Sequence, residues 1–223
     1  YAAECDEMKQ DASVELFHYW NRLREGRPAP KRTEVEPAEI KSLLADTFIL
    51  ERDTRGEAVF RLAGTRLCAA YGRELKGFSF ASLWRTRDQR LLKRMLDTIF
   101  TENTVVVVSY DGISASNRSL AFELVILPLD SSNESARGLG LITACERAYW
   151  LGADPIIDAN GTSVQVFDPS REPLALKSEH QIVLDDRATD AVPEHDIKTE
   201  AKAPSAIAKR VRHLLVLDGG RTE

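Results

Sequence analysis

Residues 60–84 read FRLAGTRLCAAYGRELKGFSFASLW, and the way this stretch folds decides the reading of everything around it. It opens inside a strand pattern, EAVFRLAG (57–64), and then turns helical. Leu67, Ala70, Tyr71 and Leu75 recur at helical spacings, Gly72 and Gly77 act as breakers, and aromatics close the segment. It offers no nucleophile, metal-ligand spacing or phosphate loop. The stretch is therefore the wall of a pocket that reacts, or of one that only binds.

Upstream, TFILERD (47–53) predicts a strand joined to the first by a turn around Arg55-Gly56. A Pro-rich connector and a short helix, PAEIKSLLA, with Pro37 as its first residue, precede it. In SVELFHYWNRLR (13–24), Leu16, Phe17, Trp20 and Leu23 fall on one helical face, with Ser13 as N-cap. That aromatic load predicts a helix that covers a sheet or meets a partner helix.

Downstream, RTRDQRLLKRMLDTIFTEN (85–103) is an amphipathic helix with Leu91, Leu92, Met95, Leu96, Ile99 and Phe100 as its apolar stripe. Strands follow over 104–114, 119–132 and 137–150, the last two forming a hairpin across a Ser/Asn turn. The order predicts an α+β fold: a five-stranded antiparallel sheet with helices on one face, preceded by an amphipathic N-terminal helix. Three regions result: an N-terminal helical segment (1–45), a core (46–150) and a partly ordered C-terminal extension (151–223). In the extension, Asn160-Gly161 between apolar residues signals a hairpin, and the charged stretch 185–204 reads as a mobile linker. The terminal KRVRHLLVLDGGR fits a helix or a strand equally.

A chain of 223 residues with 43% hydrophobic and 29% charged residues can bury a sizeable core without staples. Its net charge of −5 argues against a nucleic-acid partner. Cys5, Cys68 and Cys145 are three in number and far apart, which suits a reducing cytoplasm better than a disulfide framework. No apolar stretch approaches the ~20 residues that span a bilayer. The polar, acidic YAAECDEMKQDA start is unlike a signal peptide.

These pieces together resemble a PAS domain. Tyr71-Gly72-Arg73-Glu74-Leu75-Lys76-Gly77 is similar to the segment closing the helical patch of PAS folds, and Asp111-Gly112 resembles their turn between the third and fourth strands. Glu123–Pro128 resembles the fourth strand's ending, and ITACERAYW the last strand. Gly64 stands where many PAS domains carry an Asn. More narrowly, LFHYWNRLREGRPAPKRTEVEPAEIKSLL followed by the opening stretch resembles stand-alone bacterial PAS proteins without an attached kinase. The resemblance implies a pocket between helix and sheet and a signalling role through partners.

PAS folds often carry haem, flavin or small metabolites, and the cofactor here is left unassigned. Haem-binding members use a His on or near the long helix, which here has none; the four histidines are His18, His180, His195 and His213. Light-sensing flavin members need a Cys within Asn-Cys-Arg-Phe-Leu-Gln, whereas Cys68 sits in TRLCAAYG and reads as a small buried apolar residue. Glu179-His180 and Glu194-His195 match no metal signature, and no nucleophile elbow is present. Gly138-Leu139-Gly140 lacks the helix a phosphate loop requires and reads as a turn exit. Arg85, Arg87, Arg90, Lys93 and Arg94 could grip a phosphorylated ligand, though such a run is more often the wet side of a helix.

Candidate pocket residues are Cys68, Tyr71, Met95, Ile99, Tyr110, Phe122 and Cys145, and the same set equally describes a filled core. The buried phenols Tyr71 and Tyr110 each seek a hydrogen-bond partner. The expected function is a cytoplasmic, non-enzymatic sensory or regulatory protein that acts on a signalling partner, modulated by a small ligand. The expected homodimer forms through Phe17 and Trp20 of the N-terminal helix. The alternatives are a structural adaptor with a collapsed pocket and, last, an enzyme acting on a phosphorylated substrate. No membrane, metal or nucleic-acid partner is expected.

Overall fold

The computed structural model describes residues 2–130, 135–170, 182–183, 210–211 and 214–215. Helix α1 spans Ala2–Arg24 and is followed by 3-10 turns at Arg32–Glu34 and Pro37–Ile40. Strands β1 (Thr47–Arg52) and β2 (Ala58–Ala63) lead into the short α2 (Thr65–Ala70), a 3-10 turn at Phe80–Leu83, and α3 (Thr86–Glu102). Then come β3 (Val105–Ser114), β4 (Ser119–Leu129), β5 (Arg137–Ala144) and β6 (Ile156–Phe167). A two-residue β7 (Ile182–Val183) completes one antiparallel sheet of order β2-β1-β5-β4-β3-β6-β7.

The five expected strands are all present, but the sheet does not end with them. Asn160-Gly161 is not a hairpin; it lies inside β6, paired with Asp111 and Tyr110 of β3. The residues that make a tight turn favourable are occupied instead. Arg87 holds the Asn160 side chain, and the Gly161 N–H donates to buried Asp88 at 3.3 Å. The register shifts by one residue beside it, a bulge in which Thr162 is the extra residue. Asp111-Gly112 is likewise no turn but the interior of β3; the chain reverses over 115–118, where Asn117 has positive φ. Gly112 is needed for space, because a Cβ there would come within 2.6 Å of the Phe122 ring.

Helices cover both faces of the sheet, not one. On one side α2, the Phe80–Leu83 turn and α3 bury Phe48, Phe60, Val106, Val108, Tyr110 and Phe122. On the other, Leu16, Phe17, Tyr19 and Trp20 of α1 seat on Val105, Val125, Leu127, Leu139 and Leu141. The unbroken run Leu124–Leu129 fits this: a strand with both faces covered has no polar side to alternate with. Trp20 is fully buried and its Nε1 donates to the Pro128 carbonyl at 2.7 Å; Phe17 is 5% exposed. Both rings are thus seated on the chain's own sheet.

Gly138 and Gly140 sit within β5 rather than at a turn exit. Gly140 lies opposite Phe48, whose ring fills the volume a Cβ would take. The sheet runs past residue 150, and the first compact unit is Tyr1–Asp186. In the second, Arg187–Glu223, Arg210–Val211 pairs antiparallel with Leu214–Leu215, the strand alternative for that segment. The Ser/Asn turn at 131–134, the 185–204 linker and the acid–His pairs at 179–180 and 194–195 lie outside the described residues.

Candidate functional site

Two phenols meet between the helices and the sheet. Tyr71 caps the end of α2, its N–H donating to the Leu67 carbonyl at 3.0 Å. Gly72, at φ +63°, then turns the chain; a Cβ there would also lie 2.7 Å from Pro155. Tyr110 points inward from β3, and the two hydroxyls hydrogen-bond at 3.1 Å in full burial. Burial pushes the Tyr71 phenol up to about 12, against the hydrogen bond from Tyr110, which pulls it back. Burial first, and then the neighbouring Tyr71 oxygen, raise Tyr110 well above the ordinary phenol value. Both are neutral donors and acceptors at physiological pH.

An aromatic box surrounds the pair. Phe122 of β4 stacks on Tyr110 with centroids 5.2 Å apart and planes 12° from parallel. Trp84 packs on Tyr110 too, tilted by 55° with centroids 4.7 Å apart. Trp84 follows the Phe80–Leu83 turn and bridges through its backbone to Ala159 of β6. Its indole Nε1 is buried and has no hydrogen-bond partner among the described residues. Such a group ordinarily finds one, and leaving it bare costs about 1–3 kcal/mol.

The seven residues expected to line a pocket divide by position. Tyr71, Tyr110 and Phe122 come together directly, and Met95 and Ile99 lie buried on α3 in the same core. Cys145 is buried just after β5, its N–H donating to the Ala121 carbonyl at 2.9 Å, close enough to Tyr110 to influence that phenol. Cys68 is half-buried, with its thiol 3.7 Å from the Glu74 carboxylate at the rim. Sequence reasoning passed over Trp84, although it closes the opening stretch and an indole N–H among apolar neighbours demands an acceptor.

The arginine-rich face of α3 is largely committed. Arg85 pairs with Asp158 at 2.7 Å, Arg87 with Asn160 and Asp88, and Lys93 with Glu57 at 2.8 Å. These contacts tie α3 to β6 and to the β1–β2 turn. No group of three or more His, Cys, Asp or Glu side chains among the described residues could hold a metal ion. Nor is any helix among them long and apolar enough to cross a membrane.

A family model described as the PAS domain matches residues 8–143. The LOV protein of Rhodobacter sphaeroides is similar at 12% identity and a TM-score of 0.39, over 52% of this chain and 71% of that one. The PAS domain of a Colwellia psychrerythraea protein is similar at 12% identity and a TM-score of 0.35, over 49% of this chain and 97% of that one. No curated protein matches. The matched span takes in most of α1, the helices of the other face and the aromatic box, and the chain belongs to the PAS-domain family.

Proposed function

We propose that this sensory domain responds to a small neutral ligand held by the aromatic box, and that it passes the response to a protein partner. One observation carries the reading: Trp84, whose ring packs on Tyr110, has a buried Nε1 with no acceptor among the described residues. The paired phenols add to the box two hydroxyls, each able to donate or accept. A ligand that satisfies it brings acceptor oxygens, such as carbonyls, on a flat apolar frame that fits between rings.

Entry runs through the α2 segment. This helix has only six residues and is bracketed by Gly64 and Gly72, with Gly77 closing the following turn. Displacing it opens the box while the long helix and the sheet stay packed. Neither Cys68 nor Cys145 forms a disulfide among the described residues, which supports a reducing, cytoplasmic setting.

Native mass spectrometry of the gently purified protein tests the reading. A stoichiometric adduct is expected, with occupancy reduced about tenfold in Trp84→Phe, the equivalent of ~1.4 kcal/mol. An adduct retained in full by that variant overturns the indole's role. Absence of any adduct from the unaltered protein favours the alternative, an adaptor whose interior is permanently filled.

A further inference from the structure

The protein carries a net charge of −5, yet one groove on its sheet is ringed by cations. Arg32, Arg61, Lys76 and Arg137 surround a floor made by Ile49 and Leu62, in a depression of ≈ 380 Å³. Ile49 and Leu62 are register partners on β1 and β2, and Leu62 is 47% exposed, a large aliphatic side chain left open. The cations come from four separate segments: the Arg32–Glu34 turn, β2, the loop after α2, and β5.

A bulge builds this surface. Ile49 pairs with Leu62 but Leu50 pairs with Phe60, so Arg61 is the extra residue. Consecutive residues of a regular strand point to opposite faces, whereas here Arg61 and Leu62 both line the groove. β2 is also an edge strand of the sheet. Two of these cations also reach Glu51 of β1, Arg61 at 3.6 Å and Arg137 at 3.3 Å. Arg32 and Lys76 have no ion pair among the described residues.

We infer that this groove docks an acidic partner segment that inserts an aliphatic side chain over Ile49 and Leu62 and places carboxylates against Arg32, Arg61 and Lys76. Charge complementarity and the apolar floor together select this occupant. A small phosphate would need cations converging on one point, and here they stand around an aliphatic centre. A nucleic acid would meet the negative field of the whole protein, and no aromatic ring lines the groove for a base to stack on. The inference deepens the partner half of the function proposed above and does not depend on the interior ligand.

The test is fluorescence anisotropy on the full chain with a dye-labelled peptide of alternating Glu and Leu residues. A control peptide carries Gln in place of Glu. The acidic peptide is expected to bind, and to bind less tightly as salt rises, while the Gln peptide does not. Arg61→Glu and Lys76→Glu are each expected to weaken binding about tenfold, and Leu62→Ser by a similar factor, without change in the Tm. All three side chains are exposed, so these variants keep the fold. Equal affinity for the Gln peptide, or variants that bind as the parent does, overturns the inference. So does displacement by inorganic phosphate or by oligothymidine at equal charge concentration, which would mark a generic anion patch. Because the groove is read directly, its failure leaves the adduct experiment on the aromatic box standing.

Discussion

Tyr71 and Tyr110 show how far single residues can be argued. From sequence, a phenol on a helical patch and another on a β-branched strand each called for a partner, and the structure makes them partners of one another at 3.1 Å. Their burial has a consequence with a definite sign. Phenols whose folded-state pKa lies above the unfolded value of about 10 stay protonated in the native state while the unfolded chain ionises. The unfolded state then binds fewer protons, so the stability these groups contribute is complete below pH ~10 and is lost as pH rises through the folded value, about 12 for Tyr71. Urea denaturation across this range is expected to show a fall of up to about 1.4 kcal/mol per pH unit for each buried phenol. Replacing Tyr71 and Tyr110 together by Phe should flatten that slope; an unchanged slope would locate the alkaline sensitivity elsewhere. What the sequence could not say about Trp84 was whether its indole would reach an acceptor. That depends on the backbone of β6, which lies about seventy residues further along the chain.

Among elements, α3 and α1 were legible in different degrees. The apolar stripe of α3 placed Leu92, Met95, Leu96 and Ile99 on the buried face, and that is where they lie. For α1 the stripe was equally clear, but a stripe does not say what it meets. Phe17 and Trp20 meet the sheet of their own chain. Ser13 donates to Glu123, which stands in register between Ser109 and Thr143 on neighbouring strands, so a polar row marks where the apolar seat of α1 ends. Arg24 stacks on Trp20 at 5.4 Å and donates to the Pro169 carbonyl at 2.9 Å, fastening the helix's other end. Trp20→Ala removes a fully buried indole together with its bond to Pro128, and a loss of about 3–5 kcal/mol is expected in chemical denaturation. A loss below about 1 kcal/mol would show that α1 rests on the sheet without supporting it. β6 was misread as a hairpin for a related reason. Asn160-Gly161 carries a strong local preference, but Arg87 and Asp88 of α3 compete for the same groups, and that competition is nonlocal.

For the whole molecule, the decisive feature is a sheet covered on both faces. The second cover is α1 with the connector that follows it, whose Val35, Ile40 and Leu43 lie in the same cluster, and α1 supplies its aromatic rings. A chain beginning after residue 24 would expose Val125, Leu127, Leu139 and Leu141, a continuous aliphatic surface of the kind that drives association. Such a truncation is expected to bind a hydrophobic dye and to increase in mass by light scattering, while the aromatic box on the opposite face keeps its packing. A truncated chain that stays monomeric and binds no dye would refute this.

Strands β1 to β5, the long helix and the antiparallel α+β plan followed from the sequence alone, because alternation, helical spacing and glycine breakers act between near neighbours and survive without a fold around them. Tertiary structure decided which face α1 takes, that Asn160-Gly161 and Asp111-Gly112 lie inside strands, and that the Trp84 Nε1 has no acceptor among the described residues. Each of those outcomes is settled by atoms far apart in the chain, whose competition for the same space or the same hydrogen bond exists only once the sheet has assembled.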